Sequence, residues 1–449
     1  MSGRPCILWI ALAASACGGE PTPKPAPEDT GAETPPPVLA DGCEVADDNA
    51  LRLRCTGPEG AWVEAGGRRW EVVDGVATVA LLPPETDVEW AIVEASGARV
   101  EGVSRTGALP FGLDAVLDGA LPERSVLGMA VDCGALSDAY VVLVDPALPA
   151  VVWYTDLDVA GPIASVTGIS WDGPDLWALA GRDTVLGVAL DGTELGRFTR
   201  PDDFPNAVHH DLVWRDGGLY ALDAAVHGGA DGQYVLDGIV RLDAGARTWS
   251  LADHIEPTGG MVLPGGYWST AFGPNVIDWS HANTLVSDGD GWLVSFRHLD
   301  AVVRLAADGS IAWVLGAPDS PLGSSFTWTS PLPDVALDLR GQHHATRLDD
   351  GRLLVFDNRH GGPSRVVAVR LDGDQAVLET EWWLDRGCPV QGGAFALPDG
   401  GVLATCSSEG LVVDFGPDGG ERGRLAVSCR ESGRQARGLI RAVPVQGLP

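Results

Sequence analysis

Lysine is almost missing from this chain: Lys24 is its only one, and every other basic residue is arginine. A phosphate-binding P-loop needs a lysine on the nucleotide, so the folded part holds no Walker-type site. Tyrosine (5), phenylalanine (9) and methionine (3) are also scarce, and little outside the N-terminus shows helical periodicity. Positive charge is outnumbered, 30 Lys and Arg against 62 Asp and Glu, for a formal net charge of −32. So acidic a surface repels nucleic acid and anionic lipid, which excludes both as partners. The apolar run Ile7 to Ala14 is too short to stay in a bilayer as a spanning helix. No cysteine pair has zinc-ligand spacing, so a metal site is not expected.

What is present is punctuation. With 59 glycines and 32 prolines in 449 residues, the chain suits many short strands and turns. At the N-terminus, Arg4, the apolar run and the small residues before Cys17 read as a cleaved export signal over 1–17. The small residues before Cys17 resemble a lipobox, which implies that Cys17 is lipidated and that the membrane is met only through this anchor. Residues 18–42, rich in Pro, Glu, Thr and Ala, bury nothing and read as a disordered tether. Six cysteines follow Cys17: Cys43, Cys55, Cys133, Cys388, Cys406 and Cys429. In an exported protein they permit the pairs Cys43–Cys55, Cys388–Cys406 and Cys133–Cys429, among which the sequence does not choose.

Residues 43–107 read as a small β-sandwich, fibronectin-like in the stretch Leu81 to Val93, or as an irregular β cap. Over 123–446 a repeat of about 40–50 residues emerges, the period of a β-propeller. Its clearest copy runs from Ala282 through the Asp288-Gly289 turn to Asp308-Gly309-Ser310-Ile311-Ala312-Trp313. Related units start near Val126, Ile163, His210, His343 and Gln391. The fold class is therefore all-β, a six-bladed propeller preceded by the sandwich, with the strand around Gly438 to Val445 closing the ring. Insertions at 225–236, 254–278 and 317–340 are placed to cover one mouth of the channel.

All nine histidines fall between His209 and His360. His210, His281 and His343 stand seven, eight and eight residues before the turn glycines Gly217, Gly289 and Gly351. The first strand of a propeller blade is innermost, so matched positions converge on the channel. One such histidine is more often a turn or surface residue; three in register make a constellation. His209 shares the spacing and stays a candidate, whereas His344 should face the other side of its strand. His227, His254, His298 and His360 carry no separate case. Arg297, ending an apolar strand, either reaches solvent or clamps a tetrahedral anion with its planar fork.

Longer motifs join these residues. Asp278-Trp279-Ser280-His281-Ala282-Asn283 with Ser295-Phe296-Arg297-His298, then Gln342-His343 with Phe356-Asp357-Asn358 and Ser364-Arg365, and earlier His209-His210-Asp211, together resemble the arylsulfotransferase family. The resemblance spans roughly 125–425; His344 departs from it, standing where the family often has Asp, and the motifs are more closely spaced. It implies sulfuryl transfer from a phenolic sulfate to a phenol without a nucleotide donor, through a sulfohistidine on His343. It implies catalytic support from His281, His210 and Arg297, and no cofactor; Asn283 would orient a histidine or donate to a substrate oxygen, and Thr405, by its position in the last repeat, and His209, by its spacing, are the other substrate-contact candidates. A quinoprotein-like oxidoreductase and a non-catalytic surface-binding propeller are the alternatives, and a calcium-dependent hydrolase a third.

Overall fold

The computed structural model describes residues 42–110, 115–121, 125–132, 140–157, 166–229, 232–258, 268–429 and 437–448. The leader, Cys17, nearly all of the tether and Cys133 lie outside the described residues.

Six mainly antiparallel sheets carry the bulk of the chain, two of them with a parallel strand added, Val276–Asp278 and Thr327–Thr329. Each is a short meander in which apolar residues alternate or run continuously, and each turns on an Asp-Gly pair or its equivalent. The second blade is built in chain order from Val166–Asp172, Asp175–Ala180, Thr184–Val188 and Glu194–Thr199. The third opens on Ala207–Arg215, the fourth on Ala282–Asp288, the fifth on His343–Arg347 and the sixth on Gly393–Ala396. These opening strands touch one another in ring order. The first blade differs: its inner strand is the C-terminal Arg437–Pro444, paired antiparallel with Leu127–Asp132. That strand touches both Val166–Asp172 and Gly393–Ala396, so the ring of inner strands is complete. The fold is the expected six-bladed all-β propeller.

One strand lies earlier than the repeat predicted. Ala115–Ala120 pairs with Glu421–Cys429 and forms the outer edge of the last blade. The two ends of the chain thus close the ring at both edges, and the propeller begins before residue 123. No repeat marks this strand, because it completes a unit that opens only at Gly393.

Ahead of it, Gly42–Ala46, Asn49–Thr56 and Val76–Val79 make one sheet, and Trp62–Ala65, Arg68–Glu71, Asp87–Val93 and Arg99–Arg105 another. Their inner faces share a single apolar core with the first two blades, in which Leu53, Val63 and Val79 join Trp153, Leu176 and Ile169. Asn49 Nδ2 donates to the Tyr154 carbonyl at 2.9 Å across this junction. Two expected disulfides are present, Cys43–Cys55 and Cys388–Cys406. No helix among the described residues is long and apolar enough to cross a membrane.

The closing seam is tight at Gly128, where an added Cβ would lie 2.2 Å from Trp171 Nε1 and 3.1 Å from a Val445 methyl. Gly128→Val should therefore destabilise by about 1–3 kcal/mol, the usual cost of overpacking. Urea unfolding measures it; an unchanged midpoint would show that the seam has slack.

Candidate functional site

The inner strands of blades three to five each carry an irregularity at the same end. Pairing slips between His209 and Leu212, between Ala282 and Thr284, and between His343 and Ala345. At these slips and at the start of blade six, four non-glycine residues take left-handed backbone: His210 (φ 57°), His281 (φ 49°), His344 (φ 48°) and Gln391 (φ 55°). Such conformations cost of order 1–3 kcal/mol each and persist where the surroundings enforce them. At His210 and His281 they turn the side chains out of the strand alternation and toward each other.

The result is a packed group of imidazoles. His210 and His281 have ring centroids 4.9 Å apart, and His210 and His343 are 6.3 Å apart. All three are buried. Equal spacing from the turn glycine did not mean equal ladder position. His343 is itself paired, to Phe356, whereas His281 stands one residue before the paired Ala282. The turns differ in length: Asp288 pairs with Gly291, but Arg347 with Leu353. Convergence comes from the bulges, not from a strict repeat.

His343 has a determined tautomer. Its Nδ1 lies 2.8 Å from Asn358 Oδ1. Asn358 Nδ2 donates to the carbonyls of Cys388 (2.6 Å) and Gln391 (2.8 Å), which fixes the amide with its oxygen toward the imidazole. His343 therefore carries its proton on Nδ1 and its lone pair on Nε2. The Cys388–Cys406 disulfide holds one of these carbonyls in place. Burial first, and then the Arg297 guanidinium, push the His343 imidazole well below its usual range, against the Asn358 bond. It is neutral near pH 7.

Arg297 begins a short 3-10 turn, Arg297–Leu299, directly after strand Gly291–Phe296. One terminal nitrogen donates to the Pro389 carbonyl at 3.0 Å. Its Nε is buried and has no hydrogen-bond partner among the described residues. Burial also lowers its proton affinity, against the pull of Asp278 and Asp300. A buried guanidinium N–H without an acceptor is a place for an anion.

The three substrate-contact candidates have partners within the protein. His209 is fully buried behind His210, with the two Nδ1 atoms 2.8 Å apart. Asn283 Nδ2 donates to the Gln342 carbonyl at 2.7 Å, so it braces the residue before His343. Thr405 Oγ1 accepts from the Ala442 N–H at 3.0 Å, tying the last blade to the closing strand. His344 faces blade six, its Nδ1 accepting from Ala394 N–H at 3.1 Å.

Residues that spacing missed complete the group. His298 packs on His281 with centroids 4.6 Å apart, and its Nδ1 donates to the Asp278 carbonyl at 2.7 Å. The Ser295-Phe296-Arg297-His298 motif already held it. Asp278 accepts from His281 Nδ1 at 2.6 Å. Its carboxyl stays low despite burial, through its electrostatic interaction with His281 and this bond. Arg441, on the closing strand, donates to Asp211 Oδ2 (3.1 Å) and to the Asn283 carbonyl (3.0 Å). No local motif marks Arg441. Its stem lies over Gly393, where a Cβ would come within 2.2 Å of Arg441 Cγ.

Asp278, His281 and His298 present ligand atoms within 4.8 Å of one another. They suit a cation poorly. His281 Nδ1 already bonds Asp278, and His298 Nε2 faces Arg297 Nη1 at 3.4 Å.

The channel thus gathers the imidazoles of His210, His281, His298 and His343 beside a partly satisfied guanidinium. Residues 187–376 match the model of the arylsulfotransferase (ASST) family, as the motifs led us to expect, and the match supports aryl sulfotransferase activity at the level of the family. No curated protein matches the chain. Similar solved structures include a protein of unknown function from Bacteroides caccae, at 11% identity, 72% of this chain and 99% of that one, TM-score 0.42. A catalytically inactive virginiamycin B lyase from Staphylococcus aureus with quinupristin matches at 10%, 73% and 93%, TM-score 0.39. BamB from Moraxella catarrhalis matches at 11%, 71% and 88%, TM-score 0.30. Likenesses of this order say nothing about what the chain does.

Burial predicts an acid weakness. His210, His343 and His344 are held well below the usual imidazole range and His298 is lowered to about 4, each by burial first. The unfolded chain binds these protons near pH 6.5 and the folded one does not, so the stabilisation from neutral burial is intact above about 6.5. It is lost as pH falls from there toward the folded values. Urea midpoints should drop between pH 7 and 5, and His298→Gln should flatten part of that slope. A midpoint constant over this range would show that the cluster is charged when folded.

Proposed function

We propose that the protein moves a sulfuryl group from a phenolic sulfate ester to a phenolic acceptor in two steps through a sulfohistidine. The observation that carries the reading is the fixed Nδ1–H tautomer of His343, in the same cluster as an Arg297 Nε–H that has no acceptor among the described residues. In the first step His343 Nε2 attacks sulfur; the N–S bond forms, the S–O bond breaks and its electron pair leaves on the phenolate. The loosely bound sulfuryl spreads charge over its three oxygens. Arg297 supplies a donor already desolvated and waiting, so little reorganisation is needed. In the second step the acceptor oxygen attacks sulfur, the N–S electrons return to His343 Nε2, and the phenolic proton passes to His210 or His281. No metal or other cofactor takes part. We place the enzyme outside the cytoplasm on a lipid anchor at Cys17, consistent with its two disulfides.

Incubation with 4-nitrophenyl sulfate should release nitrophenolate faster when a phenol is added, with no nucleotide present and unaffected by a chelator. Enzyme quenched with donor alone should carry a sulfuryl adduct on the His343 peptide. His343→Asn should abolish both half-reactions. Arg297→Ala should cost about 2.7–4 kcal/mol of transition-state stabilisation, as loss of an oxyanion donor does. His344→Asn should matter far less. An adduct elsewhere, near wild-type turnover by His343→Asn, or activity restored only by zinc after chelation would refute the mechanism.

A further inference from the structure

The neutral cluster raises a difficulty for the second step. A phenol gives up its proton as its oxygen attacks, yet His210 is a poor place to leave a positive charge. It is buried, and His281, His209, His343 and Arg441 all oppose its protonation after burial itself. What stands behind His210 resolves this.

His210 Nδ1 is 2.8 Å from His209 Nδ1, and His209 Nε2 is 2.9 Å from Asp237 Oδ1. The second contact is too bent to count as a straight hydrogen bond. Yet both atoms are buried and neither has another partner among the described residues. A carboxylate oxygen and an imidazole nitrogen buried together at this distance share a proton. Asp237 acts as an acceptor through its other oxygen, Oδ2, from Ser280 Oγ (2.5 Å) and Ala282 N–H (2.6 Å), and the shared proton is assigned to His209 Nε2. With the proton on Nε2, His209 offers a lone pair at Nδ1. His210 must then donate from Nδ1, which places its own lone pair on Nε2. The Trp268 ring, edge-on to His209 at 4.7 Å, holds the imidazole in this plane.

We propose that Asp237, His209 and His210 form a proton relay in which the acceptor phenol's proton binds His210 Nε2 while the His210 Nδ1 proton passes to His209 Nδ1. At the phenol an O–H bond breaks and the His210 Nε2–H bond forms; between the imidazoles the His210 Nδ1–H bond breaks and the His209 Nδ1–H bond forms, and total charge is conserved. The positive charge ends on His209, beside Asp237. Asp223 and Asp278 add negative charge there, since each interacts with His209 from a neighbouring element. Asp223 is itself bonded to Arg247 (2.9 Å) and Asn206 (2.6 Å), and Asp278 to His281 (2.6 Å), so neither competes for the relayed proton. The charge thus moves from a site ringed by imidazoles and a guanidinium to one ringed by carboxylates. His209 and Asp237 touch no substrate and act through His210 as positioning residues.

This inference rests on the transferase reading and names the base of its second step. The test separates the two steps. A burst of nitrophenolate from donor alone reports the first, because nitrophenolate leaves without needing a proton. Chasing the sulfo-enzyme with phenols of graded acidity reports the second. Asp237→Asn keeps the acceptor for Ser280 and Ala282 but turns an N–H toward His209, which inverts both tautomers, the logic of an Asp-to-Asn change in a hydrolase triad. His209→Gln keeps bulk but cannot pass a proton. Each should slow transfer to weakly acidic phenols by about 10²–10⁴-fold, the usual worth of a general base. Each should slow transfer to strongly acidic phenols much less and leave the burst in place. Equal slowing with all phenols, or wild-type transfer, would overturn the relay. Absence of any burst from the wild type would instead overturn the transferase reading. Nitrogen-15 NMR of histidine-labelled wild-type protein decides independently of activity and of how the variants fold. His209 should carry its proton on Nε2 and His210 on Nδ1, and a His209 proton on Nδ1 would sink the proposal.

Discussion

Everything at the channel depends on one backbone pairing, the antiparallel ladder between Arg437–Pro444 and Leu127–Asp132. A propeller blade cannot satisfy its inner strand alone; it leans on the inner strands to either side. Until the last strand joins the first blade, the ring has a free edge and the blades have no fixed spacing. That same strand carries Arg441, which reaches Asp211 of the third blade and the Asn283 carbonyl of the fourth. The chain ends thus tie together the strands that bring the histidines to one point. Ala115–Ala120, on the outer edge of the last blade, repeats the device at the rim.

Within that ring, charge is sorted by depth. The side chains meeting at the channel are imidazoles and guanidinium groups, kept uncharged where burial dominates and charged where arginine cannot yield. The carboxylates stand one layer back, Asp278 behind His281 and Asp237 behind His209. An arrangement of this kind attracts an anion to the channel while holding each imidazole in one tautomer from behind. It also accounts for the left-handed backbone at His210, His281 and His344. A regular strand sends neighbouring side chains to opposite faces; a bulge lets His209 and His210 meet through Nδ1 atoms on one side. The strain is local, and the packed apolar layers between blades oppose its release.

The net charge of −32 sits in an unexpected relation to this site. An anionic substrate approaches a protein of like charge, so attraction operates only at short range, inside the channel and within about a Debye length of Arg297 and Arg441. Some exposed carboxylates pair with arginine at the surface, as in Arg99 with Glu64 and Arg105 with Asp87, but acidic residues outnumber basic ones 62 to 30.

Much of the fold was legible. Apolar runs split by Asp-Gly turns repeat at the blade period, and such periodicity survives because each blade buries the same two faces. The disulfides Cys43–Cys55 and Cys388–Cys406 were legible as options because few cysteines exist to pair. His210, His281, His343 and Arg297 were legible because the chemistry needs those residue types and the motifs hold them near turn glycines that can be counted. Asp237, Asn358 in its bracing role, and Arg441 were not. Each acts through a contact with a residue distant in sequence: 43 positions separate Asp237 from Ser280, 230 separate Arg441 from Asp211. Spacing along the chain holds no trace of such contacts, since they exist only once the ring has closed. The sequence by itself therefore determined the blade repeat, the residue chemistry of the channel and the absence of a nucleotide loop, all of which are local in the chain. Which nitrogen of each imidazole carries its proton, which face His209 and His344 present, and that a guanidinium from the last strand spans the channel were decided by tertiary structure, because hydrogen-bond partners are chosen by distance in space.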